Sequence, residues 1–312
     1  MQPQVFIDGA AGTTGLEIGQ RLAGRTDLHL VRLAEHERKN PVARARALNE
    51  ADVVILCLPD DAAREAVALI ENPAVRVLDA SSAHRTAEGW VYGFAELTTG
   101  QRERIATARR VSNPGCYPTG FLALVCPLIR AGLIPRSFPL TVNAVSGYSG
   151  GGRAMIEEFE DAASPRHVPT VVRTYGLTLS HKHLPEMQMQ AHLEHPPIFS
   201  PSVGRYYRGM IVDVPLALWA LPGHPSPGDL HAALERAYNR ELLVRVTSIA
   251  ASRMLSTLDA ERLKGTDRME LFVFGNDDMA RLVAVLDNLG KGASGAAVQN
   301  LNLMLGDRKS VV

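Results

Sequence analysis

The stretch Val5-Phe6-Ile7-Asp8-Gly9-Ala10-Ala11-Gly12-Thr13-Thr14-Gly15-Leu16 decides how the rest of the chain is read. Residues 5–7 are an apolar run of strand length, and residues 14–22 read as a helix. Glycines at 9, 12 and 15, spaced G-x-x-G-x-x-G, make the turn between them and open the helix. Such a turn lets the backbone approach a pyrophosphate, while the helix N-terminus offers N–H groups and the positive end of a dipole. Gly9, Gly12, Thr13, Thr14 and Gly15 are therefore candidate dinucleotide-binding residues. Further strands are expected at residues 28–33, 53–58 and 75–78, with a helix at 62–70. Apolar strands alternating with helices imply a parallel sheet covered on both faces, and right-handed crossovers make it a doubly wound, Rossmann-like domain.

The pattern changes after Pro114. A helix over about 118–131 is followed by expected strands at 140–145, 210–218, 243–249, 269–274 and 282–285. Strands with few intervening helices suggest a second α+β domain with a mixed or antiparallel sheet. Ser146-Gly147-Tyr148-Ser149-Gly150-Gly151-Gly152 reads as a loop. Residues 293–305 form a helical pattern expected to return to the first domain. The division is thus 1–115, completed by 293–312, and a catalytic and oligomerisation domain at 116–292.

With 33 basic and 33 acidic side chains among 312 residues, the formal net charge is zero, which argues against a nucleic-acid-binding protein. An anionic ligand must then be held by local groups rather than steered by the whole molecule. Three cysteines make a poor disulfide framework and suit a reducing cytosol. There is no signal-peptide pattern and no apolar run of about 18 residues, so a cytoplasmic protein without a membrane partner is expected. No His/Cys/Asp/Glu cluster has metal-ligand spacing, so no metal is expected.

The sharpest chemical signal is Ser112-Asn113-Pro114-Gly115-Cys116-Tyr117-Pro118-Thr119. Pro114-Gly115 makes a turn and Pro118 suits a first helical turn, which places Cys116 at a helix N-terminus. There the dipole and open N–H groups favour the thiolate, the form that attacks an acyl carbon, and the same groups can hold an oxyanion. Cys57 and Cys126 lie within apolar runs and read as small buried hydrophobes. His181 and His183 are two apart, and in an extended segment they would share a side. An imidazole there can accept the thiol proton, and Glu186 could orient it. His192 and His195 lack such company. Arg85, in the polar loop after the fourth strand, could clamp a phosphate. The residues after strand two, Glu35-His36-Glu37-Arg38-Lys39, carry both signs. Arg38 and Lys39 tilt the cofactor to NADP, since basic side chains there accept a 2′-phosphate.

Asn113-Pro114-Gly115-Cys116-Tyr117-Pro118-Thr119 closely resembles the nucleophile motif of the N-acetyl-gamma-glutamyl-phosphate reductases, part of the wider semialdehyde dehydrogenase group. Three further segments follow the family's order: Asp79-Ala80-Ser81-Ser82-Ala83-His84-Arg85, His181-Lys182-His183-Leu184-Pro185-Glu186, and residues 287–295. With the glycine turn the resemblance spans nearly the whole chain, and its compact length looks like the shorter, type 2 form. The segment at 79–85 departs from the longer type's Ser-Ala-Asp-Phe-Arg wording, which leaves His84 without an assignment. The resemblance implies NADPH-dependent reduction of N-acetylglutamyl phosphate through a Cys116 thioester, in arginine biosynthesis, by a homo-oligomer, dimer or tetramer. It gives His183 the acid/base role, sets Asn288 and Gly292 at the nicotinamide end, and makes Ser81 a cofactor contact. Arg85, Asn113, Ser146, Gly147 and His181 are then the substrate-binding candidates. Aspartyl- or aminoadipyl-phosphate-type reductases are the nearest alternatives, and a catalytically silent NADP-binding regulator is one from another class.

Overall fold

The computed structural model describes residues 2–38 and 40–306, arranged as two compact units. Lys39 and the end of the expected C-terminal segment, 307–312, lie outside the described residues. Unit 1 comprises residues 1–95, 99–114 and 293–312, and unit 2 comprises 96–98 and 115–292.

Unit 1 is built on a six-stranded parallel sheet. Its strands are β1 (Gln4–Asp8), β2 (His29–Val31), β3 (Val53–Leu56), β4 (Arg76–Asp79), β5 (Val91–Tyr92) and β6 (Arg110–Ser112), ordered β2-β1-β3-β4-β6-β5. Side chains alternate across a strand. Val5, Ile7, Val53 and Ile55 therefore enter one core with residues of α1 (Thr13–Leu22), α4 (Gln101–Thr107) and α10 (Gly295–Met304). Phe6, Val54 and Leu56 enter a second core with α2 (Pro41–Glu50) and α3 (Asp60–Ala68). That is the two-faced burial the unbroken apolar strands imply. α2 has a local cause: Asn40 accepts hydrogen bonds from the amides of Val42 and Ala43, and Pro41 fills the first turn.

Unit 2 carries a seven-stranded mixed sheet ordered β11-β12-β13-β10-β7-β9-β8. The strands are β7 (Thr141–Gly147), β8 (Val172–Thr174), β9 (Ile198–Gly204), β10 (Met210–Ala217), β11 (Val244–Val246), β12 (Met269–Gly275) and β13 (Met279–Leu286). Along β10, Met210, Val212, Val214 and Leu216 are buried, and the alternate positions are less so. α5 (Cys116–Arg130) packs on β10 and β13 and against α7 (Leu184–Gln190) and α8 (Pro227–Tyr238). Two expectations need correction. Residues 243–249 are not one strand: β11 ends at Val246, and Ser248 caps α9 (Ile249–Arg253) by accepting from the Ala251 amide. Residues 146–152 are not a plain loop: they finish β7, form a 3₁₀ turn at Tyr148–Gly151, and start α6 (Gly152–Glu160).

Candidate active site

In unit 1 the glycine turn joins β1 to α1 beside the point where the strand order reverses, between β1 and β3. Crevices at such switch points are where ligands bind in open α/β sheets. Gly9 adopts φ +87°, and a Cβ there would run into the Cys57 carbonyl oxygen, so only glycine fits. Gly12 caps α1 without a side-chain bond, and Thr13 and Thr14 form the helix's first turn. A cavity of about 870 Å³ opens here, lined by Gly9, Ala10, Gly15, Arg32, Arg38 and Arg44, among others. Arg44 is tied to Asp8 at 2.7 Å. β2 is shorter than the strand expected over 28–33. The strand stops at Val31, so Arg32 is the first residue past its carboxyl end.

The other unit 1 candidates gather at the carboxyl ends of β4 and β6. Ser81 donates its hydroxyl to Asp79, 2.8 Å away, and His84 Nδ1 lies 2.6 Å from the same carboxylate. The His84 ring stacks on Trp90 at 4.1 Å. Arg85 Nε donates to the Asn113 carbonyl at 2.9 Å. The buried Asn113 amide donates to the Ala293 carbonyl and accepts from Asn300, both at 3.0 Å.

In unit 2, Cys116 is the first residue of the 15-residue helix α5, and Gly115 is its N-cap. Gly292 lies in a π-helical turn, Gly290–Ser294, against that first turn; a Cβ on it would stand 2.8 Å from Cys116 Cβ. Glu186, buried in the first turn of α7, accepts the Gly115 N–H at 2.8 Å. That carboxylate therefore holds the residue before Cys116.

His181 and His183 are not in an extended segment. They form a turn, and His183 is the α-helical N-cap of α7. The turn still brings the rings together, 4.7 Å apart and nearly perpendicular. Tyr117 packs on both, at 6.3 Å from His181 and 5.8 Å from His183. Tyr175 and Phe199 flank His181 at 5.9 and 5.1 Å. Tyr175 donates its hydroxyl to that of Tyr117 at 3.0 Å. Burial, then Tyr175 and the Cys116 sulfur, push the Tyr117 phenol well above its ordinary value. Burial also pushes Tyr175 up to about 12. Both tyrosines therefore stay neutral. His181 is pushed down to about 4, by burial first and then by the Lys182 ammonium. Neither tyrosine had a sequence signal beyond Tyr117 following the cysteine.

Asn288 accepts the Gly209 N–H at 2.8 Å and donates to Ser149 at 2.9 Å. Ser146 is buried, and Gly147 donates its N–H to the Gly209 carbonyl at 2.9 Å. Asn288 thus pins the 146–152 segment, and its side-chain contacts lie within unit 2. Among the described residues, no group of three His, Cys, Asp or Glu side chains could hold a metal ion, and no helix is long and apolar enough to cross a membrane.

Comparison with known proteins matches residues 4–108 to the family model "Semialdehyde dehydrogenase, NAD binding domain" and residues 116–288 to "Semialdehyde dehydrogenase, dimerisation domain". An N-acetyl-gamma-glutamyl-phosphate reductase of Brucella anthropi is 56% identical over 309 residues, covering 98% of this chain and 99% of the relative. One from Brucella suis is also 56% identical, over 98% of this chain and 100% of the relative. Among solved structures, aspartate semialdehyde dehydrogenase II of Vibrio cholerae has the same fold, with TM-score 0.73 at 16% identity and 99% of each chain covered. The aspartate semialdehyde dehydrogenase of Candida albicans aligns with TM-score 0.67 at 12% identity, over 98% of this chain and 99% of that one. With the matches spanning both units, the chain belongs to the semialdehyde dehydrogenase family and, within it, to the N-acetyl-gamma-glutamyl-phosphate reductases.

Proposed function

We propose that this chain reduces N-acetyl-L-glutamyl 5-phosphate to N-acetyl-L-glutamate 5-semialdehyde and phosphate, with NADPH as the reductant, in arginine biosynthesis. The observation that carries the reading is Cys116 at the first position of α5, beside Tyr117, which packs on both His181 and His183. The names of the relatives supply the substrate.

Cys116 attacks the acyl carbon after its proton passes to His183. The bond from that carbon to the phosphate oxygen breaks, phosphate leaves with the electron pair, and a thioester remains. The open N–H groups of α5 stabilise the oxyanion formed on the way. When bound, the dinucleotide supplies the hydride that reduces the thioester. His183 gives its proton to the resulting oxygen and takes it back as the C–S bond of the thiohemiacetal breaks. Glu186 fixes the N-cap and so the direction of the Cys116 side chain. Arg85 and Asn113 shape the segment leading to Cys116, and Ser146 and Gly147 frame the acyl group.

The glycine turn and the arginines of the 870 Å³ cavity fit an adenine dinucleotide carrying a 2′-phosphate, with Arg32 and Arg38 as its readers. Ser81 lies at the ligand-binding edge of the same sheet. Gly292 serves the nicotinamide end by keeping the space beside Cys116 clear, and Asn288 supports it by pinning residues 146–152. The family description of residues 116–288 as a dimerisation domain supports a homo-oligomer, dimer or tetramer.

Turnover assays test the reading. With NADP⁺, phosphate and N-acetylglutamate semialdehyde, reduced cofactor should form far faster than with aspartate semialdehyde or with NAD⁺. Equal rates with the two aldehydes would refute the substrate, and equal rates with the two cofactors would refute the NADP preference.

A further inference from the structure

The site holds two histidines two residues apart, and a single proton-transfer group accounts for the chemistry above. The backbone N–H of His183 donates to Nδ1 of His181 at 3.2 Å. An imidazole nitrogen that accepts a hydrogen bond carries no proton, so the neutral ring must carry its proton on Nε2. The ring is also walled by Tyr117, Tyr175 and Phe199, with His183 crossing it at 4.7 Å. Protonating Nδ1 would break the backbone bond and place a cation among these rings, where desolvation opposes it. Among the described residues, the titratable groups shown facing it are Tyr117 from α5, Tyr175 from the loop after β8, and Lys182 and His183 from its own turn, with Cys116 beyond the two tyrosines; burial and the Lys182 ammonium both hold it in the neutral form.

We propose that His181 is not a second acid/base group but a fixed, uncharged Nε2–H donor to the phosphoryl group of an acyl-phosphate substrate. A donor that never titrates in the working range holds the leaving group without competing for the proton that His183 must move. The proposal rests on the acyl-phosphate reading above.

Two measurements test it. In protein labelled with ¹⁵N-histidine, His181 should show a protonated Nε2 and a bare Nδ1 from about pH 6 to 8, unchanged by substrate, whereas an ordinary histidine would titrate there. In the phosphate-consuming direction, His181→Phe should raise the KM for inorganic phosphate by roughly 10- to 100-fold, the scale of a hydrogen bond to a charged group. Its kcat should change much less, and His181→Gln, which keeps a donor near Nε2, should recover most of the loss. A His181 that titrates near neutrality, a proton on Nδ1, or a phosphate KM unchanged in His181→Phe would each overturn the proposal. Absence of turnover in the wild type would instead remove the acyl-phosphate reading, while the tautomer is read without substrate.

Discussion

Cys57 and Cys116 both sit where a strand gives way to a helix, and the two places hold a thiol in opposite settings. Cys57 follows β3, outside α3, with Asp8 and Asp79 as charged neighbours. Burial first, then those carboxylates, push its thiol up to about 12. It cannot ionise near neutrality, and its carbonyl oxygen leaves no room for a side chain at Gly9. Cys116 is instead inside the first turn of α5, at the positive end of a 15-residue helix, and the nearby Glu186 carboxylate is tied to the Gly115 amide. Position relative to a helix start, more than exposure, separates an inert sulfur from a nucleophile.

Substitutions can break or sharpen that contrast. The largest effect belongs to Cys116→Ser, which should reduce turnover to background while NADPH affinity stays within a few-fold, because a serine hydroxyl there lacks comparable activation. Cys57→Ser should leave turnover near that of the unmodified chain. Comparable losses in the two variants, each measured with a folding control by circular dichroism, would erase the distinction. Next, His183→Asn should slow turnover by roughly 10²–10⁴-fold, the usual size of acid/base assistance. An imidazole-like limb of the pH–rate profile should vanish with it and survive in His181→Gln. The reverse pattern would mean that the two histidines exchange roles.

Gly292→Ala makes a smaller, purely steric intrusion. The new methyl would meet Cys116 Cβ at 2.8 Å, and displacement of the Cys116 side chain should lower kcat by about 10²-fold. An undiminished kcat would show that the first turn of α5 has room to move. Smallest is the effect on cofactor choice. Replacing Arg32 and Arg38 together with Ala should weaken NADPH binding roughly 10-fold more than NADH binding. Equal losses in calorimetric titrations would show that neither arginine reads a 2′-phosphate.

The same contrast explains what could be read from the sequence. The Rossmann-like unit was legible because its code is local: unbroken apolar strands and a glycine turn that sterics restrict to glycine at Gly9. The Cys116 helix start was legible for the same reason, through Pro114-Gly115 and Pro118. Contacts made at long sequence separation were not. Glu186 reaches Gly115 across 71 residues, and the Tyr175–Tyr117 bond spans 58. Nothing in the spacing of the two histidines shows that a helix begins at Leu184 and bends them into a turn. Some misses were avoidable. Ser226-Pro227-Gly228-Asp229 is a capping box that announces α8, and Asn40-Pro41 announces α2. β2 ends at Val31, two residues before the apolar run does, and no local signal marks that end.

A phosphate-free single turnover tests the account most directly. Enzyme mixed with NADP⁺ and N-acetylglutamate semialdehyde, with no phosphate to cleave the product, should form about one equivalent of NADPH per active site and stop. Peptide mapping should then find an N-acetylglutamyl thioester on the peptide containing Cys116, and adding phosphate should release it and restart turnover. Continuous NADPH formation without phosphate and without an acyl group on Cys116, or an acyl group on another residue, would contradict the central claim.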